Sequence, residues 1–96
     1  MELKGTITKI GETIQLSNKF KKRNFVLTTM ENPNYPQTIE FQTVQDNCLL
    51  LDQVEINEEV AISFDIRGRT WENSDGVEKV YNTLQAWEIK KLDLPF

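Results

Sequence analysis

The stretch from Val60 to Trp71 constrains this chain more than any other. Val60, Ile62, Phe64 and Ile66 occupy even positions, while Ala61, Ser63, Asp65, Arg67 and Arg69 occupy odd ones. Alternation with a period of two marks a strand with one face in a core and the other in water. A helix cannot use this pattern, because residues two apart fall on different sides of it. The chain must therefore supply further strands to cover the apolar face.

Related patterns recur on both sides. Leu3, Gly5 and Ile7 alternate with Lys4, Thr6 and Thr8, and the apolar set then changes phase to Ile10, Ile14 and Leu16. A phase change near Gly5 and Gly11 predicts a first strand that bulges or bends to serve two sides of a barrel. Lys19 to Arg23 reads as a basic loop, and Asn24 to Thr29 as a second strand with Phe25 and Leu27 on one face. Glu31 to Gln37, with Asn32-Pro33 and Tyr35-Pro36, reads as a turn. Thr38 to Thr43 is a third strand with Ile39 and Phe41 facing one way. Helical spacing of Val44, Cys48 and Leu51 then predicts one short helix over Gln45–Gln53, capped by Thr43 and Asp46. Asn57 closes the next turn, since asparagine tolerates a left-handed backbone. Glu72 to Lys79 holds a hairpin loop at Asn73–Gly76, and Val80 to Ile89 is the fifth strand. This element order is that of an all-β, five-stranded OB-fold barrel, with its short helix between strands three and four. The reading gives one domain over residues 1–91 and a C-terminal tip over residues 92–96.

Composition removes most catalytic chemistry. The 96 residues include no histidine, which eliminates the commonest general base and metal ligand and any Ser-His or Cys-His pair. The single Cys48 can build neither an internal disulfide nor a zinc site. Among leucines on the helix it reads as a small core residue, and it suits a reducing, cytoplasmic setting. Glu88 and Lys90 with Asp65 form a faintly nuclease-like set, but alternating charges at a strand end explain them better. No glycine-rich phosphate loop is present. A binding protein without catalysis, metal or cofactor is expected. Met1 to Ile10 lacks the apolar run of a secretory signal, and the longest apolar run, Cys48 to Leu51, cannot span a membrane.

The net charge of −4 opposes a uniformly basic surface but permits a local basic groove. Two clusters would build one. Arg67, Arg69 and Trp71 share the wet face of the fourth strand, and Tyr81 across the hairpin adds a second ring. Guanidiniums beside aromatic rings suit phosphates and stacked bases. Lys19, Phe20, Lys21, Lys22 and Arg23 set four cations around one ring. In an OB-fold the loops between strands one and two and between strands four and five flank the binding face, where both clusters fall. Trp87 faces outward with Tyr81 if Leu84 and Ala86 face the core. It packs inward with Ile89 if the strand bulges, and at least partial burial is the expectation.

Two resemblances add to this reading. From Met1-Glu2-Leu3-Lys4-Gly5 through Lys21-Lys22-Arg23-Asn24-Phe25-Val26 to Ala86-Trp87-Glu88-Ile89, the chain resembles a family of small bacterial domains of unknown function. That resemblance implies the OB-fold of single-stranded-DNA-binding proteins. Asn57 stands where the pattern expects glycine. The C-terminus Asp93-Leu94-Pro95-Phe96 is similar to the acidic tip of bacterial single-stranded-DNA-binding proteins. It implies that Phe96, with Asp93 as acidic flank and Leu94 and Pro95 between them, docks on replication or repair proteins; alternatively the tip packs on the domain. The expected function is sequence-tolerant binding of single-stranded nucleic acid, DNA above RNA, in replication, repair or recombination. The alternative is an OB-fold interaction or homodimeric assembly domain, and association into a homo-oligomer is expected in either case.

Overall fold

In the computed structural model, residues 1–29 and 34–92 are described. Six strands and one helix follow in the order β1 (Glu2–Ile10), β2 (Ile14–Ser17), β3 (Phe20–Thr29), β4 (Gln37–Val44), a 3-10 helix (Gln45–Gln53), β5 (Glu59–Glu72) and β6 (Glu78–Lys91). No described helix is long and apolar enough to cross a membrane.

The expected bend in the first strand is present, and it splits that strand in two. β1 pairs with β5 through residues 2–6 and with β3 through residues 6–10, so one strand serves two sides. A bulge between Ile7 and Lys9 accompanies the change of partner. Gly5 lies where the strands converge: a Cβ there would sit 2.6 Å from the Thr28 carbonyl oxygen. After Ile10 the chain leaves the ladder and resumes as β2, which among the described residues pairs with β3 alone.

The pairings close on themselves. β1 joins β5, β5 joins β6, β6 joins β4, β4 joins β3, and β3 returns to β1. All are antiparallel except β4–β6, which is parallel and made by one bridge, Gln42 to Gln85. Five strands thus form the ring that the element order implied, with β2 as an appended edge.

Inside the ring, Phe25 and Phe41 stack at 5.3 Å, and Phe64 meets Phe41 edge-on at 5.1 Å. Ile7, Leu27, Val60, Ile62 and Ala86 complete the layer, with Leu51 from the 3-10 helix. Each large apolar side chain buried this way contributes about 1.5–3 kcal/mol. Cys48 is buried among them, its thiol 3.7 Å from the Thr43 carbonyl.

Four local expectations change. The helix has the expected bounds but is 3-10, begins after Val44 and has no side-chain cap. The Thr43 hydroxyl donates to the Arg23 carbonyl instead. The basic segment is not all loop, since Phe20–Arg23 opens β3 and only Asn18–Lys19 turns. Along β5 both faces are buried from Val60 to Phe64, and everything from Asp65 onward is exposed, Ile66 included. The cause is a bulge opposite Ser63 and Phe64, beyond which β5 and β6 leave the barrel together. Asn57 has φ 78°, as its turn requires.

Candidate functional site

Residues paired directly across a sheet share a face. Asn24 pairs with Gln42, Gln42 with Gln85, and Gln85 with Asp65. These four side chains therefore form one row across the outer face of β3, β4, β6 and β5. Neighbouring strands lie about 4.8 Å apart, so the row spans roughly 14 Å. Two depressions meet over the Asn24–Gln42 half of this row, with Gln85 next to Gln42 across the bridge, and share Lys22, Asn24 and Glu40. One extends to Lys9, Glu12 and Ile14, and the other to Asn82, Thr83 and Leu84 of β6. Together they make one groove over β3 and β4, with the far wall supplied by β6.

Beyond the row, β5 and β6 continue as a free two-stranded arm from Asp65–Gln85 to Glu72–Glu78. Its turn is fixed locally: the Asn73 side chain accepts from the amides of Asp75 and Val77, and Gly76 supplies φ 78°. Arg67 pairs with Thr83, Arg69 with Tyr81 and Trp71 with Lys79. All six lie on the face that continues the Gln85–Asp65 end of the row. The opposite face carries Ile66, Gly68, Thr70, Glu72, Glu78, Val80 and Asn82. One side of the ribbon thus has three cations and two aromatic rings, and the other has two carboxylates and an apolar strip. Among the described residues, none of Arg67, Arg69 and Lys79 forms an ion pair. Trp71 and Tyr81 are both about half exposed.

The basic run of β3 is divided by the period of two. Phe20 and Lys22 fall on the groove face with Asn24, while Lys21 and Arg23 fall on the other. Arg23 is not a free cation. Its Nε donates to the Gly11 carbonyl at 2.7 Å, and a terminal nitrogen reaches the Cys48 carbonyl at 3.3 Å and Asp52 at 2.7 Å. Its side chain is only 16% exposed. It ties the β1–β2 break to the 3-10 helix, and its parity turns it away from the groove face. Lys19 and Lys21 hold the hairpin tip: the Gln45 side chain donates to the Lys19 carbonyl and accepts from the Lys21 amide.

Trp87 takes the outward one of its two expected positions, with Ala86 in the core and Leu84 packed against it. The bulge exists, and Ile89 packs against the core, yet Trp87 itself is 48% exposed. It is the residue skipped by the ladder between Ala86 and Glu88. It follows Gln85 on β6 as Val44 follows Gln42 on the parallel β4, past the bridge from the depression between β4 and β6. Lys79 and the row Asn24, Gln42 and Gln85 are the site residues that sequence reasoning missed, and the outward position of Trp87 is one of the two it leaves open. Lys79 shares the odd parity of Tyr81, which could have found it. The row depends on the β4–β6 bridge, which no local pattern announces. Among the described residues no cluster of metal-ligating side chains occurs. The tip Asp93, Leu94, Pro95 and Phe96 lies outside the described residues.

Comparison with known proteins fits this geometry. A family model described as a domain of unknown function (DUF3127) matches residues 2–90. None of the curated proteins matches the sequence. Two crystal structures of the mitochondrial single-stranded DNA binding protein Rim1 from S. cerevisiae, one selenomethionine-labelled, are similar to the chain. Each has a TM-score of 0.69 at 16% identity, covering 96% of this chain and 92% of that one. With the closed strand ring, this likeness shows an OB-fold.

Proposed function

The chain belongs to the DUF3127 family, and we propose that it binds single-stranded DNA along its groove and the cationic face of its arm. The observation that carries this reading is the two-sided arm. Among the described residues Arg67, Arg69 and Lys79 form no ion pair, and they stand beside Trp71 and Tyr81 on the face that carries Thr83 of the groove wall. Phosphates are met by these cations and by Lys22, with Lys19 at the far hairpin tip; Lys21 faces away from the groove. Bases stack on Trp71, Tyr81, Trp87 and Phe20. Stacking contributes about 1–3 kcal/mol per base and accepts any base, so binding on the arm is tolerant of sequence. The role of the similarly folded Rim1 supports DNA as the ligand. Exposed single strands arise in replication, repair and recombination, the settings such a protein serves.

Titration of tryptophan emission with a short mixed-sequence single strand tests the proposal. Emission falls as Trp71 and Trp87 stack, and affinity falls with salt at a log–log slope of about −0.7 per neutralised phosphate. Arg67→Ala and Arg69→Ala each make that slope shallower. Absence of binding at low salt overturns the proposal.

The reverse side of the arm favours a second reading. Ile66 and Val80 share that face and are 55% and 68% exposed. An uncovered apolar strip on a sheet suits association with a second copy of the chain.

A further inference from the structure

The floor of the groove differs chemically from the arm. Asn24, Gln42 and Gln85 are partly buried, and their side chains have no hydrogen-bond partner among the described residues; the Asn24 Oδ1 is fully shielded. Two carboxylates flank them. Asp65 ends the row, and Glu40 is two residues from Gln42 on the same face of β4. Carboxylates repel phosphate, so a single strand crossing here turns its bases to the floor and leaves its backbone to the cations. Polar groups that are half desolvated and unpaired gain most from a partner that brings donors and acceptors.

We infer that this floor reads base edges and selects cytosine over thymine, a specificity that rests on the single-strand reading above. Each carboxamide offers an acceptor beside a donor, and rotation of the Asn24 amide brings either end to the groove. The two carboxylates accept only. Cytosine presents an exocyclic amino group next to a ring acceptor, which matches a carboxamide and satisfies a carboxylate. Thymine presents one N–H between two carbonyls; this edge also fits a carboxamide, but its carbonyls meet Glu40 and Asp65 unfavourably, so the two carboxylates set the preference. The two pyrimidines have the same ring size, so their difference isolates edge chemistry from stacking.

The test is tryptophan titration with deoxycytidine and thymidine oligomers of equal length, at one low salt concentration and a slightly alkaline pH that keeps cytosine neutral. The cytosine oligomer is expected to bind roughly tenfold more tightly, within the range for one bidentate base contact. In Glu40→Gln, and in the double variant Glu40→Gln, Asp65→Asn, that ratio falls toward one. The salt slope stays unchanged, because no cation is removed. Equal affinities for the two oligomers in the unaltered protein overturn the inference while leaving the binding proposal intact. A cytosine preference that survives both variants also overturns it. If neither oligomer binds, the single-strand reading fails and this inference falls with it.

Discussion

Arg23 shows how much a single position depends on what the fold brings to it. In sequence it completes a basic run with Lys21 and Lys22. In the fold its partners are 12, 25 and 29 residues away, at Gly11, Cys48 and Asp52. A guanidinium has five donors in a fixed fork, which suits it to gather two carbonyls and a carboxylate at once. Lys22, one residue earlier, points into the groove instead, because successive side chains on a strand face opposite ways. Arg23→Ala is therefore expected to cost about 1.5–3 kcal/mol of stability, the range for hydrogen bonds to a charged group. Its effect on oligonucleotide affinity is expected to be small. Chemical denaturation and fluorescence titration of the same variant measure the two effects. A large loss of affinity with unchanged stability would return Arg23 to the site. Its neighbour's place on the groove face is legible from parity, but its own role is not, because all its partners are distant in the chain.

At the scale of the element, the β5–β6 arm carries most of the functional argument. The alternation from Val60 to Ile66 identifies a strand and assigns Arg67, Arg69 and Trp71 to one face, and the structure keeps that assignment. What alternation does not reveal is where the strand leaves the core. The bulge at Ser63–Phe64 lies opposite Trp87 and depends on the register with β6. It is why Ile66 is exposed although its parity matches Phe64. A bare two-stranded ribbon is marginally stable by itself, and the like-charged pair Glu72–Glu78 near its end weakens it further. Its order comes from the barrel end and from the tight turn at Asn73–Gly76. Replacing residues 68–82 with a two-residue Asn-Gly turn is accordingly expected to leave a folded barrel. Circular dichroism should keep its β signature, and the melting temperature should change little, since Phe64, Ala86 and the rest of the core are untouched. Oligonucleotide affinity is expected to fall at least tenfold with the loss of two cations, Arg69 and Lys79, and two rings. Sedimentation of the shortened chain also bears on self-association: a drop in mass relative to the full chain supports pairing through Ile66 and Val80. An unfolded product would mean that the arm stabilises the barrel.

For the molecule as a whole, the sequence pattern and the structure agree on the barrel because its determinants are local. Phase changes mark the bent first strand, helical spacing marks the plug, and alternation marks the strands. The groove is less legible, since it is assembled from β3, β4 and β6, and only the closure of the ring brings them together. That closure has a mechanical consequence. Four seams of the ring are ladders of several residue pairs, while the β4–β6 seam is the single bridge between Gln42 and Gln85. The molecule should yield there first, parting along one line while the other ladders hold. Amide hydrogens beside this line are expected to exchange with solvent sooner than those of β3 or of β5 at Val60–Ile62. The proposed ligand would lie over both lips of the line and bind only while they are together. Adding a single strand should then slow exchange at residues 40–44 and 83–87 more than elsewhere, because a ligand specific to the closed form suppresses opening. Seen this way, the nucleic acid acts as a fastening across the weakest closure of the barrel.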